Sequence, residues 1–181
     1  MVQIAYARRP LARKSIFAGL TPLGPDQFEG YASLFGVADG DGDGDTVAPG
    51  AFAQSLRRRG PAQVRMLYQH FSHAPIGVWE EIAEDRKGLY VRGRLTSDIE
   101  QARDIAALLR DGALNGLSIG FRTQRAQRQT AGRLLQQVEL WEISVVTFPL
   151  LAGSTVTAIG QRRAETGLAD LFRQASRALT A

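Results

Sequence analysis

The chain has 181 residues, 44% hydrophobic and 22% charged, which describes one globular domain long enough to bury a sound core. It has no cysteine and only two histidines, His70 and His73, which excludes a disulfide framework, a thiolate nucleophile, a zinc–thiolate site and a histidine-rich metal centre. The net charge of +4 is carried almost wholly by arginine, since Lys14 and Lys87 are the only lysines; the arginines are dispersed, so a solvated surface accounts for them better than a nucleic-acid groove.

Residues 1–25 are basic and broken by Pro10, Pro22 and Pro25, and read as a loose arm. Arg8, Arg9, Arg13 and Lys14 are followed by no apolar h-region, so a secretory signal is not expected, and no apolar run approaches the roughly 20 residues that span a bilayer. A soluble, intracellular protein is the expectation, and the lack of cysteine fits it. Phe28 to Phe35 suits a strand. The acidic-glycine run Asp39 to Asp45 resembles half of a calcium loop, but counting from Asp39 puts Gly50 at position twelve, where a bidentate Glu belongs. Counting from Asp41 puts Thr46 at the position that needs glycine, so an acidic turn is the better reading.

Ala51 to Arg59 reads as a short helix closed by Gly60-Pro61. Ala62 to Gln69 follows as a strand with Val64, Met66 and Tyr68 on one face, and His70 continues that parity at the strand end; His73 is expected at the surface. Ile76–Glu84 and Gly88–Thr96 form a plausible hairpin about Asp85-Arg-Lys-Gly88. Ser97, with Glu100 three residues on, is expected to cap a helix that carries Ile99, Ala102, Ile105, Ala106 and Leu109 on one face and stops at Gly112. The apolar run Gly116-Leu-Ser-Ile-Gly-Phe121 comes next, then a polar loop or hairpin tip over Thr123–Gly132, then a long strand from Arg133 to Phe148 stopped by Pro149. Both faces of that strand are apolar, as in one covered on both sides. From Gln161 to Ala181, Leu168, Leu171, Phe172, Ala175 and Leu179 share one side of a helix.

Three residues stand out. Ser118 lies between Gly116 and Gly120, a bracket that suits a hydroxyl which a substrate chain must approach closely; it equally suits a core strand whose serine bonds a neighbouring carbonyl. Glu142 is a carboxylate in apolar company and needs a partner, an arginine in a structural site or a histidine in a functional one. His70, Ser118 and Glu142 together make a possible catalytic set, with serine activated by an imidazole that a carboxylate orients.

Blocks spread over residues 28–150 carry a resemblance. They are Gly30-Tyr-Ala-Ser-Leu-Phe35, Gly44-Asp-Thr-Val-Ala-Pro-Gly-Ala-Phe52, Met66-Leu-Tyr-Gln-His70, Pro75-Ile-Gly-Val-Trp79, Gly88-Leu-Tyr-Val-Arg-Gly-Arg-Leu95, Gly116-Leu-Ser-Ile-Gly-Phe121 and Glu139-Leu-Trp-Glu-Ile-Ser-Val-Val-Thr-Phe-Pro149. In this order they resemble the tailed-phage prohead serine proteases, related in fold to herpesvirus assemblin. The resemblance implies a mainly β fold with flanking helices: a closed, mostly antiparallel β-barrel of about seven strands. It implies that His70 and Ser118 are catalytic, with Glu142 in the third position, where the herpesvirus enzymes are similar but use a second histidine. The Leu-Leu-Ala-Gly-Ser after Pro149 departs from the family pattern.

The resulting expectation is a serine endopeptidase that removes the prosegment or scaffold region of a major capsid protein precursor inside an immature shell in the bacterial cytoplasm, and that clips itself. A basic arm (1–25), a protease domain (26–158) and a helical or removable tail (159–181) divide the chain. No metal or cofactor is required, a homodimer or higher oligomer is implied, and neither a membrane nor a specific nucleic acid is expected as partner. Oxyanion donors are sought in the glycine-bracketed turn or after Glu142. The particle, whether phage, prophage or gene transfer agent, stays open, as does a non-catalytic assembly role; a basic nucleic-acid-binding barrel is the weaker rival.

Overall fold

A computed structural model of the chain describes residues 22–40 and 44–161. Most of the basic arm, the centre of the acidic run and the amphipathic helix read over Gln161–Ala181 lie outside the described residues. In chain order the elements are β1 (Gln27–Leu34), β2 (Thr46–Val47), α1 (Ala53–Arg59), a single 3-10 turn (Pro61–Gln63), β3 (Arg65–Tyr68), β4 (Pro75–Glu84) and β5 (Gly88–Leu95). They continue with α2 (Glu100–Arg110), β6 (Gly116–Arg128), β7 (Arg133–Val146) and β8 (Val156–Ile159).

All eight strands belong to one sheet, and β7 is its hub. The ladder runs β2–β7–β3–β4–β5–β1–β8, while β6 pairs with β7 alone. β2 and β3 both run parallel to β7 and leave a gap between Leu135 and Glu142. Backbone donors in such a gap must find other partners. The start of the α1 segment supplies them: the Val138 N–H donates to Ala51 O at 3.0 Å, and the Leu140 N–H to Ser55 Oγ at 2.9 Å. The short helix therefore replaces a missing stretch of strand.

The closed barrel implied by the resemblance is not formed. Closure would need β6 to pair with β8 or β1 along its length, yet beyond Leu117 β6 pairs, among the described residues, only with β7. A single bridge, Gly116 to Thr155, joins the two ends of the sheet. The remaining gap between β1 and β6 is a cleft lined by Ala32, Leu117, Ser118 and Ile119, with Leu150 and Leu151 from the segment after β7.

The core is one cluster gathered from nearly every element. Phe28 and Trp79 meet edge to face at 5.5 Å within it, and α2 contributes Ala102, Ile105, Ala106 and Leu109 at helical spacing. Truncating a side chain as buried as Ile105 to alanine costs about 2–5 kcal/mol. Two local expectations need correction. Ser97 caps nothing: the Ile99 N–H closes a turn onto Thr96 O, so the helix starts only at Glu100, and Ser97 offers its carbonyl to Arg103 at 2.8 Å. Thr123–Arg128 is not a loop but the outer half of β6, paired with β7 down to Arg133, so only 129–132 turn. The polar composition there reflects a strand exposed on its outer half rather than a missing strand.

Candidate active site

The ladder assigns faces. Opposite residues of neighbouring strands share a face. Ser118 stands opposite Ser144, which stands opposite Leu67; on the other face, Leu117 meets Val145 and Met66 meets Ile143. Leu117, Val145, Met66 and Ile143 are core residues. Ser118 therefore projects away from the main core, and Gly120 with its partner Glu142 shares its face.

Glu142 reaches that face because β7 carries an extra residue. Gly120 pairs with Glu142 while Phe121 pairs with Leu140, which leaves Trp141 unmatched. Such a bulge inverts the alternation. Val138 and Leu140 point into the core before it, Ile143 and Val145 after it. The single parity that the sequence suggests for Val138, Leu140, Glu142 and Ser144 is therefore broken at Trp141, and this break sets the carboxylate beside the serine.

A second break brings in the histidine. Straight continuation of β3 would put His70 on the Met66 face, across the sheet from Ser118. Instead Gln69 and His70 both adopt left-handed backbone, at φ 51° and 61°. Such conformations cost roughly 1–2 kcal/mol per residue and persist only where the surroundings enforce them. Here the turn is pinned to the end of β7. The Gln69 N–H donates to Val145 O at 3.0 Å, the Gln69 Nε2 to Thr147 Oγ1 at 2.6 Å, and the His70 N–H to Ser144 Oγ at 3.1 Å. His70 is accordingly not an apolar-face residue; its side chain is 45% exposed.

The three candidates meet in one hydrogen-bonded line. His70 Nε2 lies 2.9 Å from Ser118 Oγ, and His70 Nδ1 lies 2.7 Å from Glu142 Oε1. A carboxylate only accepts, so Nδ1 carries the proton and Nε2 is left to accept from the serine hydroxyl. Glu142 Oε2 accepts from the Ser144 hydroxyl at 2.7 Å. Ser144 thus holds both other groups, donating to the carboxylate and accepting from the His70 backbone. Glu142 is 14% exposed and has a histidine, not an arginine, as its partner. The line can move a proton from a hydroxyl to an imidazole whose positive charge a half-buried carboxylate would balance.

Sequence reasoning missed three parts of this arrangement: Gln69, Thr147 and the positioning part played by Ser144. Their only signal was adjacency to His70 and Glu142 inside the resembling blocks. The glycine bracket also has another purpose than access for a substrate. A Cβ on Gly120 would lie 2.7 Å from the Glu142 carboxyl carbon, and one on Gly116 would lie 2.5 Å from Val146 O and 2.8 Å from the Pro149 ring. Both spaces are filled by the chain itself. The amide of Leu117, just before the serine, already donates to Ser154 O at 2.8 Å. His73 is exposed and stacks on Phe71 at 5.5 Å, apart from the line.

The chain is 41% identical over 126 residues to the prohead protease of Enterobacteria phage HK97, covering 67% of this chain and 55% of the relative, so it spans only about half of that protein's length. The bacteriophage T4 capsid assembly protease is similar in structure, with TM-score 0.55 and 13% identity over 66% of this chain and 80% of the other. A KSHV protease solved with a hexapeptide phosphonate inhibitor aligns at TM-score 0.50 and 12% identity, over 86% and 76% of the two chains; at such identities the likeness is one of fold. The profile of the Caudovirus prohead serine proteases matches residues 22–168, from ahead of β1 to beyond β8 and across the whole Ser118–His70–Glu142 line, and the chain belongs to that family.

Proposed function

We propose that this protein is a serine endopeptidase of the Ser-His-Glu type that cleaves the prosegment or scaffold region from a major capsid protein precursor inside an immature phage-type shell. The observation that carries the reading is the continuous line of hydrogen bonds from Ser118 Oγ through His70 to Glu142, at 2.9 and 2.7 Å. Ser118 Oγ attacks the scissile carbonyl as His70 Nε2 takes its proton. Glu142 holds the imidazole in the required tautomer and balances the imidazolium. The imidazolium then protonates the leaving amine, and water, deprotonated by the same nitrogen, releases the acyl group from Ser118.

The peptide substrate and the shell come to the reading through the family relationship. With them come self-processing, a homodimer or higher oligomer, and action in the host cytoplasm within the prohead. The test is the intact mass of the capsid precursor co-expressed with this chain, as wild type and as Ser118→Ala. Shortening by the wild type alone is the expected outcome. Equal shortening by both would remove Ser118 as nucleophile. An intact precursor in both cases, with shells still assembling, would favour a non-catalytic assembly role.

A further inference from the structure

Past the bulge at Trp141, the outer half of the β6–β7 hairpin carries a charge imbalance. Glu139 is shared by Arg58 and Arg59 of α1, the latter at 3.0 Å. Arg122 stands directly opposite Glu139 in the ladder, and Arg125 stands opposite Gln137, two residues along β7 on the same face. Both are exposed, and neither has an ion-pair partner among the described residues. Arg59 also lies over the half-exposed Trp141 ring, 4.0 Å from its centroid. Two guanidiniums therefore bind the one carboxylate, and two further arginines stand on the same face of the hairpin without an ion-pair partner among the described residues.

The backbone beside them is open as well. Among the described residues β6 pairs on one side only from Ser118 to Arg128, so its other edge has main-chain donors and acceptors to which none of them adds a strand. Ser118 lies at the inner end of this edge. At about 3.3 Å per residue, Arg122 and Arg125 lie about 13 Å and about 23 Å along the strand from it.

We propose that this basic strand edge docks an acidic, extended segment of the polypeptide substrate and so feeds the scissile bond to Ser118; the proposal rests on the protease reading above. An extended chain adds to an exposed edge through main-chain bonds, which a nucleic acid does not offer. A single-strand nucleic-acid surface needs a series of aromatic platforms, whereas Trp141 stands alone here, already facing Arg59, and Phe121 packs against the core. The spacing asks for carboxylates about four and about seven residues from the cleaved bond.

The experiment has two arms. In the first, the Ser118→Ala protein is titrated with fluorescent peptides of equal length, one alternating Glu with Gln and one all Gln, and with a single-stranded oligothymidine. Binding of the acidic peptide about 10-fold tighter than the neutral one is expected, lost in Arg122→Gln/Arg125→Gln and weakened as salt rises. Equal binding of the two peptides, or oligothymidine preferred over the acidic peptide, would overturn the proposal. In the second arm, the Arg122→Gln/Arg125→Gln enzyme should lose about 10-fold in kcat/KM on the full precursor and nothing on a short peptide spanning the cleavage site. An unchanged rate on the precursor would overturn it. Arginine-dependent acidic binding without any cleavage by the wild type would sink the protease reading instead, leaving the docking surface standing.

Discussion

From Gly116 to Gly120, β6 lies against a part of β7 that is buried on both faces, from Ile143 to Val146; from Arg122 to Arg128 β6 is largely exposed, while β7 opposite it keeps Leu135 and Val138 in the core. In the inner half every polar side chain is committed: Ser118 to His70, Glu142 to His70 and Ser144, Ser144 to the His70 backbone. In the outer half arginines outnumber their partners. One extra residue, Trp141, divides the two. The difference shows how a single hairpin supplies both a rigid, hydrogen-bonded reaction centre and a solvated surface, because burial is set by what packs on each half rather than by strand pairing.

The comparison can be broken most severely at Glu142. Glu142→Gln keeps the shape but can present an amide N–H to Nδ1, which favours the wrong tautomer. A loss of about 10³–10⁴ in kcat is expected with little change in KM, measured on a peptide containing the cleavage site. An effect below about tenfold would mean that the carboxylate does not orient His70.

Gly120→Ala tests whether the inner half tolerates any added volume. The new methyl would displace the Glu142 carboxylate or push the strands apart. A fall of about 10² in kcat is expected, with destabilisation of about 1–3 kcal/mol in urea. Arg122→Ala, two residues away in the outer half, should leave both short-peptide kcat and stability almost unchanged. Equal effects at the two positions would erase the distinction.

Ser144→Ala removes a donor from Glu142 and an acceptor from the His70 amide. About 1–2 kcal/mol of stability should be lost, and kcat should fall about tenfold while the Ser118 hydroxyl still reacts with an active-site fluorophosphonate. Complete loss of labelling would instead mark Ser144 itself as the reacting serine.

The smallest effect is expected at the base of the outer half. Asp45 is held below the usual carboxylate range chiefly by its hydrogen bonds from Arg133, at 2.6 Å from Nη2 and 3.0 Å from Nε. A carboxylate depressed in the folded state stabilises above its unfolded value, and that contribution disappears as the pH falls through the folded one. Urea midpoints followed from neutral to acid pH should therefore fall less steeply in Arg133→Gln than in wild type. Arg133 is half exposed, so the difference will be modest and will shrink with salt. A steeper fall in the variant would reverse the assigned sign.

Local pattern was enough to announce most of the framework. Alternation and turn residues mark β1 and the β4–β5 hairpin, a long run apolar on both faces marks β7, and helical spacing marks α2, because local pattern reveals which residues each of these buries. Ser118, His70 and Glu142 were legible as residue types within seven resembling blocks. What the sequence could not supply was their meeting. His70 by parity belongs on the wrong face, and Glu142 by parity belongs with Leu140. Only the pinned left-handed turn at Gln69–His70 and the bulge at Trp141 bring both to Ser118. The open sheet was equally beyond a reading of strands one at a time: whether β6 finds a second neighbour depends on how the segment after β7 packs into the gap. Periodicity records which face a residue would take in an uninterrupted element; bulges, strained turns and closure depend on contacts between segments far apart in the chain, and those only the tertiary structure decides.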